Sequence, residues 1–163
     1  MWKRWLAALL AALALAAGCA SGEAAYESVR INFEGGFSLS VPSDWVSYEA
    51  DDEARAQGIG YVLGSVDGSR LMYVQQWQTE RETLKELEEA LKSREDVQIL
   101  TGDLGGDKAF LMYAMNDRDC TGCLTLHAGT VLNLMFTPQS DAEFMAMAAA
   151  IMDSCRWIEA EEE

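Results

Sequence analysis

Cys120-Thr121-Gly122-Cys123 is the stretch of this sequence best equipped to do chemistry. A C-x-x-C spacing can close a small disulfide, lower the pKa of one thiol for redox exchange, or furnish half of a zinc site. Redox pairs usually stand at a helix N-terminus, where backbone dipoles stabilise the thiolate, whereas the apolar patterns on both sides here predict strands. A zinc site needs two further ligands. Only His127 and Cys155 could join, and Cys155 falls on the apolar face of a predicted helix. In an exported chain the pair reads as a structural Cys120–Cys123 disulfide or as idle thiols. Thiol–disulfide exchange and metal binding stand as the alternatives.

The other reactive residue types fall short of a known arrangement. His127 is the single histidine and lies beside a predicted turn, with no nucleophile placed by a pattern such as G-x-S-x-G. Asp51, Asp52 and Glu53, and likewise Asp117 and Asp119, lack the spacing of a calcium loop. Gly102, Gly105 and Gly106 lack the Lys-Ser/Thr pair of a phosphate loop. The methionines form no repeated Met-x-x-Met array for copper and read as packing. No catalytic residue, metal site or cofactor is assigned. Trp45, Tyr73 and Trp77 remain as candidate ligand contacts, because aromatics with a polar handle line clefts as well as cores.

The N-terminus supplies an address. Met1 to Trp5 carries Lys3 and Arg4, Leu6 to Ala17 carries no charge, and Ala16-Ala17-Gly18-Cys19 places small residues before a cysteine. A basic start, an apolar run of about 7 to 15 residues and small residues describe an export signal, and the run falls short of the roughly 20 residues of a transmembrane helix. The placement of Cys19 resembles the lipobox of bacterial lipoproteins, which implies that residues 1–18 are removed and Cys19 is lipidated. Residues 19–28 are small and polar and read as a tether. The expected location is the extracytoplasmic face of a bacterial membrane, with the lipid as the membrane contact.

Composition narrows the partners. The chain of 163 residues has a formal net charge of −15, more negative once Lys3 and Arg4 are lost. Such a surface repels phosphate backbones, so nucleic acid is set aside as a partner. With 24% charged and 50% apolar residues, the chain should fold around a real core, as one domain over residues 29–158 with an acidic tail at 159–163.

The elements that must position these residues follow from periodicity. Val29 to Phe33 and the alternating Phe37-Ser38-Leu39-Ser40-Val41 predict strands, and residues 49–58 a loop. Ile59 to Val66 and Arg70 to Gln78 predict a hairpin through Asp67-Gly68. Thr79 to Glu82 fits a capping box for a helix whose apolar stripe is Leu84, Leu87, Ala90 and Leu91. Val97 to Thr101 predicts a strand and Gly102 to Asp107 a turn. A three-stranded meander follows from 109 to 137, with strands at Ala109 to Met115, Leu124 to His127 and Thr130 to Thr137 and a turn at Ala128-Gly129. Ser140 to Glu143 caps a last helix ending near Ser154, and Trp157 and Ile158 add a short packing strand.

The stretch Phe37-Ser38-Leu39-Ser40-Val41-Pro42-Ser43-Asp44-Trp45 resembles the opening of PsbP-like and Mog1-like domains. Phe136 to Phe144, leading into a helix that closes at Ser154-Cys155-Arg156-Trp157, resembles their ending. The resemblance covers residues 29–158 and implies an α+β, α/β/α sandwich with a central antiparallel sheet of about six strands. It also implies a noncatalytic binding or accessory factor; the N-terminal address, rather than the resemblance, makes an envelope protein or a small ligand the expected partner.

Overall fold

The computed structural model describes residues 26–101 and 110–158. The leader, Cys19, residues 19–25 of the tether, the glycine-rich turn at 102–107, Ala109 and the acidic tail at 159–163 lie outside the described residues. The chain packs as two compact units, one from its two ends and one from Val46–Pro138.

In the first unit, β1 (Ser28–Phe33) and β10 (Arg156–Trp157) flank β2 (Phe37–Pro42), all antiparallel. Alternation along β2 buries Phe37, Leu39 and Val41 completely. The Phe33 and Phe37 rings stack with centroids 4.6 Å apart, and Trp157 meets Phe37 edge-on at 6.1 Å. Helix α3 (Ala142–Asp153) contacts β2 and buries Phe144, Met145, Ala148, Ile151 and Met152 at helical spacing. Its cap is Asp141, whose carboxylate accepts from the Phe144 amide at 3.0 Å, one residue beyond the expected Ser140. At its C-terminus the Arg30 guanidinium donates to the Ser154 carbonyl at 3.1 Å, which satisfies one of the helix's otherwise unpaired acceptors.

The second unit is a seven-stranded antiparallel sheet in the order β3-β4-β5-β9-β8-β7-β6. Its strands are β3 (Val46–Tyr48), β4 (Ile59–Gly64), β5 (Leu71–Gln78), β6 (Val97–Thr101), β7 (Leu111–Met115), β8 (Thr121–His127) and β9 (Thr130–Thr137). The α+β class and the antiparallel sheet agree with the sequence. The sheet holds seven strands where about six were expected, because Val46–Tyr48 pairs with β4 as a short edge strand too brief to show alternation.

Two turns form where glycines permit them. Gly68 takes φ +70° between β4 and β5, and Ala128-Gly129 take φ +47° and +75° in a two-residue hairpin closing His127 onto Thr130. Positive φ at both central residues is the primed turn that matches sheet twist. In the β4–β5 turn the Asp67 carboxylate accepts from the Ser65 hydroxyl at 2.7 Å and the Ser69 amide at 3.0 Å, which holds its pKa down to about 2.

Two helices differ from expectation. Residues Asp52–Ala56 form a short helix, α1, where a loop was predicted; the Asp51 carboxylate accepts from the Ala54 amide at 2.7 Å and nucleates it. None of its residues is buried, so no apolar stripe marked it in the sequence. Helix α2 begins at Leu84 and runs to Lys92, capped by Thr83 and Glu86 rather than by Thr79 and Glu82. Both quartets have the capping-box form, and the one adjoining the apolar stripe prevails. Leu87 packs with Leu111, Tyr113, Leu124 and Val131, flanked by Trp77, Leu84 and Leu91. Burying one such leucine is worth about 2 kcal/mol. The Glu88–Lys92 pair forms at 2.6 Å and adds a few tenths of a kcal/mol.

Candidate functional site

Leu71, Tyr73, Gln75 and Trp77 alternate along β5 and share one face of the large sheet, opposite Thr137, Met135, Asn133 and Val131 of β9. Helix α2 packs over one end of this face and α1 lies beside the other. Between them runs a chain of polar contacts. The Tyr113 hydroxyl donates to Asn133 Oδ1 at 3.1 Å, Asn133 Nδ2 donates to Gln75 Oε1 at 3.0 Å, and Gln75 Nε2 donates to the Gln57 carbonyl just past α1. Asn133 is buried at 3% exposure, so its pairing is what makes a polar side chain tolerable in the middle of β9. The Tyr113 ring crosses β8 at Gly122, its direct cross-strand partner, where the missing side chain leaves room for it. Burial raises the Tyr113 pKa to about 12, so its hydroxyl is a donor throughout the physiological range. Asn133→Leu is expected to destabilise the protein by about 2 kcal/mol by stranding that hydroxyl. Urea denaturation measures this, and a loss below about 0.5 kcal/mol would show that the contact carries little.

Beyond Gln57 the same face opens into a cleft of about 240 Å³. Ile59, Tyr73, Met135 and Met115 give it apolar walls, and Cys120 and Thr137 line its β8–β9 side. Asp51 and Glu53 border it from α1, and Arg118 from the β7–β8 connection. Burial raises the Tyr73 pKa, with smaller contributions from Cys120 and the Asp51 carboxylate. Among the described residues no group hydrogen-bonds the Tyr73 hydroxyl.

Tyr73 and Trp77 do not converge. Tyr73 lines the cleft, Trp77 packs on the cluster beneath α2, and Trp45 belongs to the other unit, where its ring lies 6.1 Å from Phe144. Sequence reasoning missed Gln75, Tyr113 and Asn133. The available signal was a lone amide within the apolar run Val131 to Met135, which a buried polar network explains.

Of the two readings of the cysteine pair, the disulfide is not formed. Cys120, Cys123 and Cys155 are all buried thiols and no disulfide joins them. Strand β8 begins at Thr121 rather than Leu124, so Cys123 lies inside an extended strand. Three residues of extended chain span roughly 10 Å and point the two side chains to opposite faces, too far for the 4.4 to 6.8 Å between bridged Cα atoms. Burial raises the Cys120 thiol to about 11, with Arg118 opposing and Asp119 adding to the effect; Cys155 rises to about 11 for the same first reason. A nucleophilic thiol needs the opposite shift. Because the neutral form is favoured on folding, the associated stability is fully present below pH 9 and fades as pH rises toward 11. Alkylation of Cys120 by iodoacetamide at pH 8 should therefore run about a hundredfold slower in the folded protein than in urea, from the thiolate fraction alone. Peptide-resolved mass spectrometry reads the two rates, and equal rates would refute the buried placement. Among the described residues no three His, Cys, Asp or Glu side chains gather as a metal site. His127 is exposed at the end of the β8–β9 hairpin.

The described residues define an α+β fold built on a large antiparallel sheet with few helices. In the particulars it is PsbP-like: it resembles cyanobacterial PsbP (CyanoP) from Synechocystis, with a TM-score of 0.57, 15% identity, and coverage of 85% of this chain and 95% of that one. A crystal structure from Bacteroides thetaiotaomicron is similar at a TM-score of 0.52 and 13% identity, over 85% of this chain and 50% of that protein, so the chain spans about half its length. No protein-family model and no curated protein matches the sequence.

Proposed function

We propose that this protein is a noncatalytic lipoprotein, anchored through Cys19 on the extracytoplasmic face of a bacterial membrane, whose PsbP-like and Mog1-like fold serves as a binding or accessory factor. The observation that carries this reading is the leader: two basic residues, the uncharged run from Leu6 to Ala17, and Cys19 directly after Ala17-Gly18. Among the described residues no helix is long and apolar enough to cross a membrane. The fold likeness to CyanoP supports a domain of the kind that the sequence resemblance implied. A binding role is also in keeping with thiols that are buried and held protonated. Two acyl chains at Cys19 give stable attachment where a single chain gives only marginal binding, and a short tether keeps the domain at high local concentration near an envelope partner. The net charge of −15 favours a basic partner over nucleic acid.

Metabolic labelling with an alkyne-bearing palmitate tests the anchor. The wild-type protein should take up label and fractionate with membranes, and Cys19→Ala should lose the label and most of the membrane association. An unlabelled wild type, with Cys19→Ala still at the membrane, would overturn the proposal.

A further inference from the structure

The cleft beside α1 has a shape and a charge pattern that the anchoring role does not use. Its volume, about 240 Å³, falls below the roughly 300 to 1,000 Å³ of ordinary small-molecule sites and suits one apolar side chain. Tyr73, Met115 and Met135 supply its apolar lining, and methionines repack readily around a guest of variable shape. The charges are divided. On the α1 rim, Arg55 is already engaged with Glu49 at 2.8 Å and Asp52 at 3.5 Å, while neither Asp51 nor Glu53 is ion-paired among the described residues. Arg118, which pairs with Asp117 at 3.8 Å, borders the other rim.

We propose that this cleft docks a basic segment of a protein partner, taking one Leu, Met or Phe side chain between Tyr73, Met115 and Met135. A Lys or Arg beside that anchor faces Glu53 and Asp51, and the segment's backbone carbonyls face Arg118 and the Tyr73 hydroxyl. The strongly acidic chain steers such a segment toward it. This deepens the binding-factor reading and rests on it for the kind of partner. The cleft and the lipid can fail separately, since peptide titration does not depend on Cys19.

The test is methyl NMR of the full-length protein, labelled at its methionine methyls and held in nonionic detergent, titrated with the peptide Gly-Lys-Leu-Lys-Gly. Met115→Leu and Met135→Leu spectra assign the two signals. Saturable shifts of both methyls with a Kd of about 1 mM or tighter are expected. Replacing the central Leu by Ser should abolish saturation, and Gly-Glu-Leu-Glu-Gly should not bind. Glu53→Lys, a surface change that leaves the core intact, should weaken binding about fivefold or more. Absence of saturable shifts, or equal binding by the Ser or Glu peptides, overturns the proposal. It is likewise overturned if leucinamide binds as tightly as the peptide, marking a small-molecule site. Methyl shifts that move with protein concentration alone would instead assign the cleft to a second copy of the chain and refute it.

Discussion

Gly122→Ala is expected to cost about 3 kcal/mol or more, lowering the thermal midpoint by on the order of 10 °C. A Cβ at this position would stand 2.0 Å from Tyr113 Cζ, 2.3 Å from Cε1 and 2.4 Å from the hydroxyl oxygen. No real contact is that short, so the ring must leave. It has nowhere cheap to go: Tyr113 packs with Leu87, Leu111, Leu124 and Val131, and its hydroxyl is held by Asn133. Moving the ring both opens the cluster and strands a buried amide oxygen, and the two costs add. The pairing can be checked by a second substitution. Tyr113→Phe keeps the clashing ring and should not rescue Gly122→Ala, whereas Tyr113→Val removes it and should recover part of the loss in a double-mutant cycle. A single Gly122→Ala variant within 1 kcal/mol of wild type by urea denaturation would contradict this account.

The second large effect belongs to Gly64→Ala, with an expected loss of about 2 to 3 kcal/mol. The added Cβ would lie 2.2 Å from the Arg70 carbonyl oxygen and 2.7 Å from Leu71 Cδ2. The obstacle here is backbone, which cannot swing aside as a side chain does. That carbonyl accepts from the Ser65 amide at 3.0 Å, so displacing it breaks the rung that closes the β4–β5 turn. Position beside a turn lets the strands splay and relieve some strain, which is why the cost is set below that at Gly122. Denaturation should show a lower midpoint at unchanged m-value, and the Ser65 amide should exchange faster with solvent. An unchanged midpoint with the Ser65 amide still protected would show that the hairpin tolerates the methyl group.

Much of the fold was legible because its signals are local. The alternation of Phe37, Leu39 and Val41, the Asp67-Gly68 turn and the stripe at Leu84, Leu87 and Leu91 each need only a few residues of context. Errors came where local signals were absent or doubled. Helix α1 has no apolar stripe, and Thr79 and Thr83 both open a plausible capping box four residues apart. The candidate site was less legible because its members meet across strands. Tyr113, Asn133 and Gln75 come from three strands, and only pairing reveals that they touch. The cysteine spacing suggested a bridge, yet spacing alone does not report extended geometry, and an extended backbone separates Cys120 from Cys123. Tyr73 lines the cleft, Trp77 packs beneath α2, and Trp45 belongs to the other unit, beside Phe144.

The strand order of the large sheet also bears on how fast it can form. Every neighbouring pair but one joins strands consecutive in the chain, so β3-β4-β5 and β6-β7-β8-β9 are each local meanders. The exception is β5 against β9, in register from Leu71 with Thr137 to Gln78 with Thr130, a pair whose nearest members are 52 residues apart. Closing that loop carries an entropy cost that no local contact repays until the two strands meet. The seam is therefore the slow encounter on the way to the native sheet, and Gln75 and Asn133, which hydrogen-bond across it, are formed only once that encounter has succeeded.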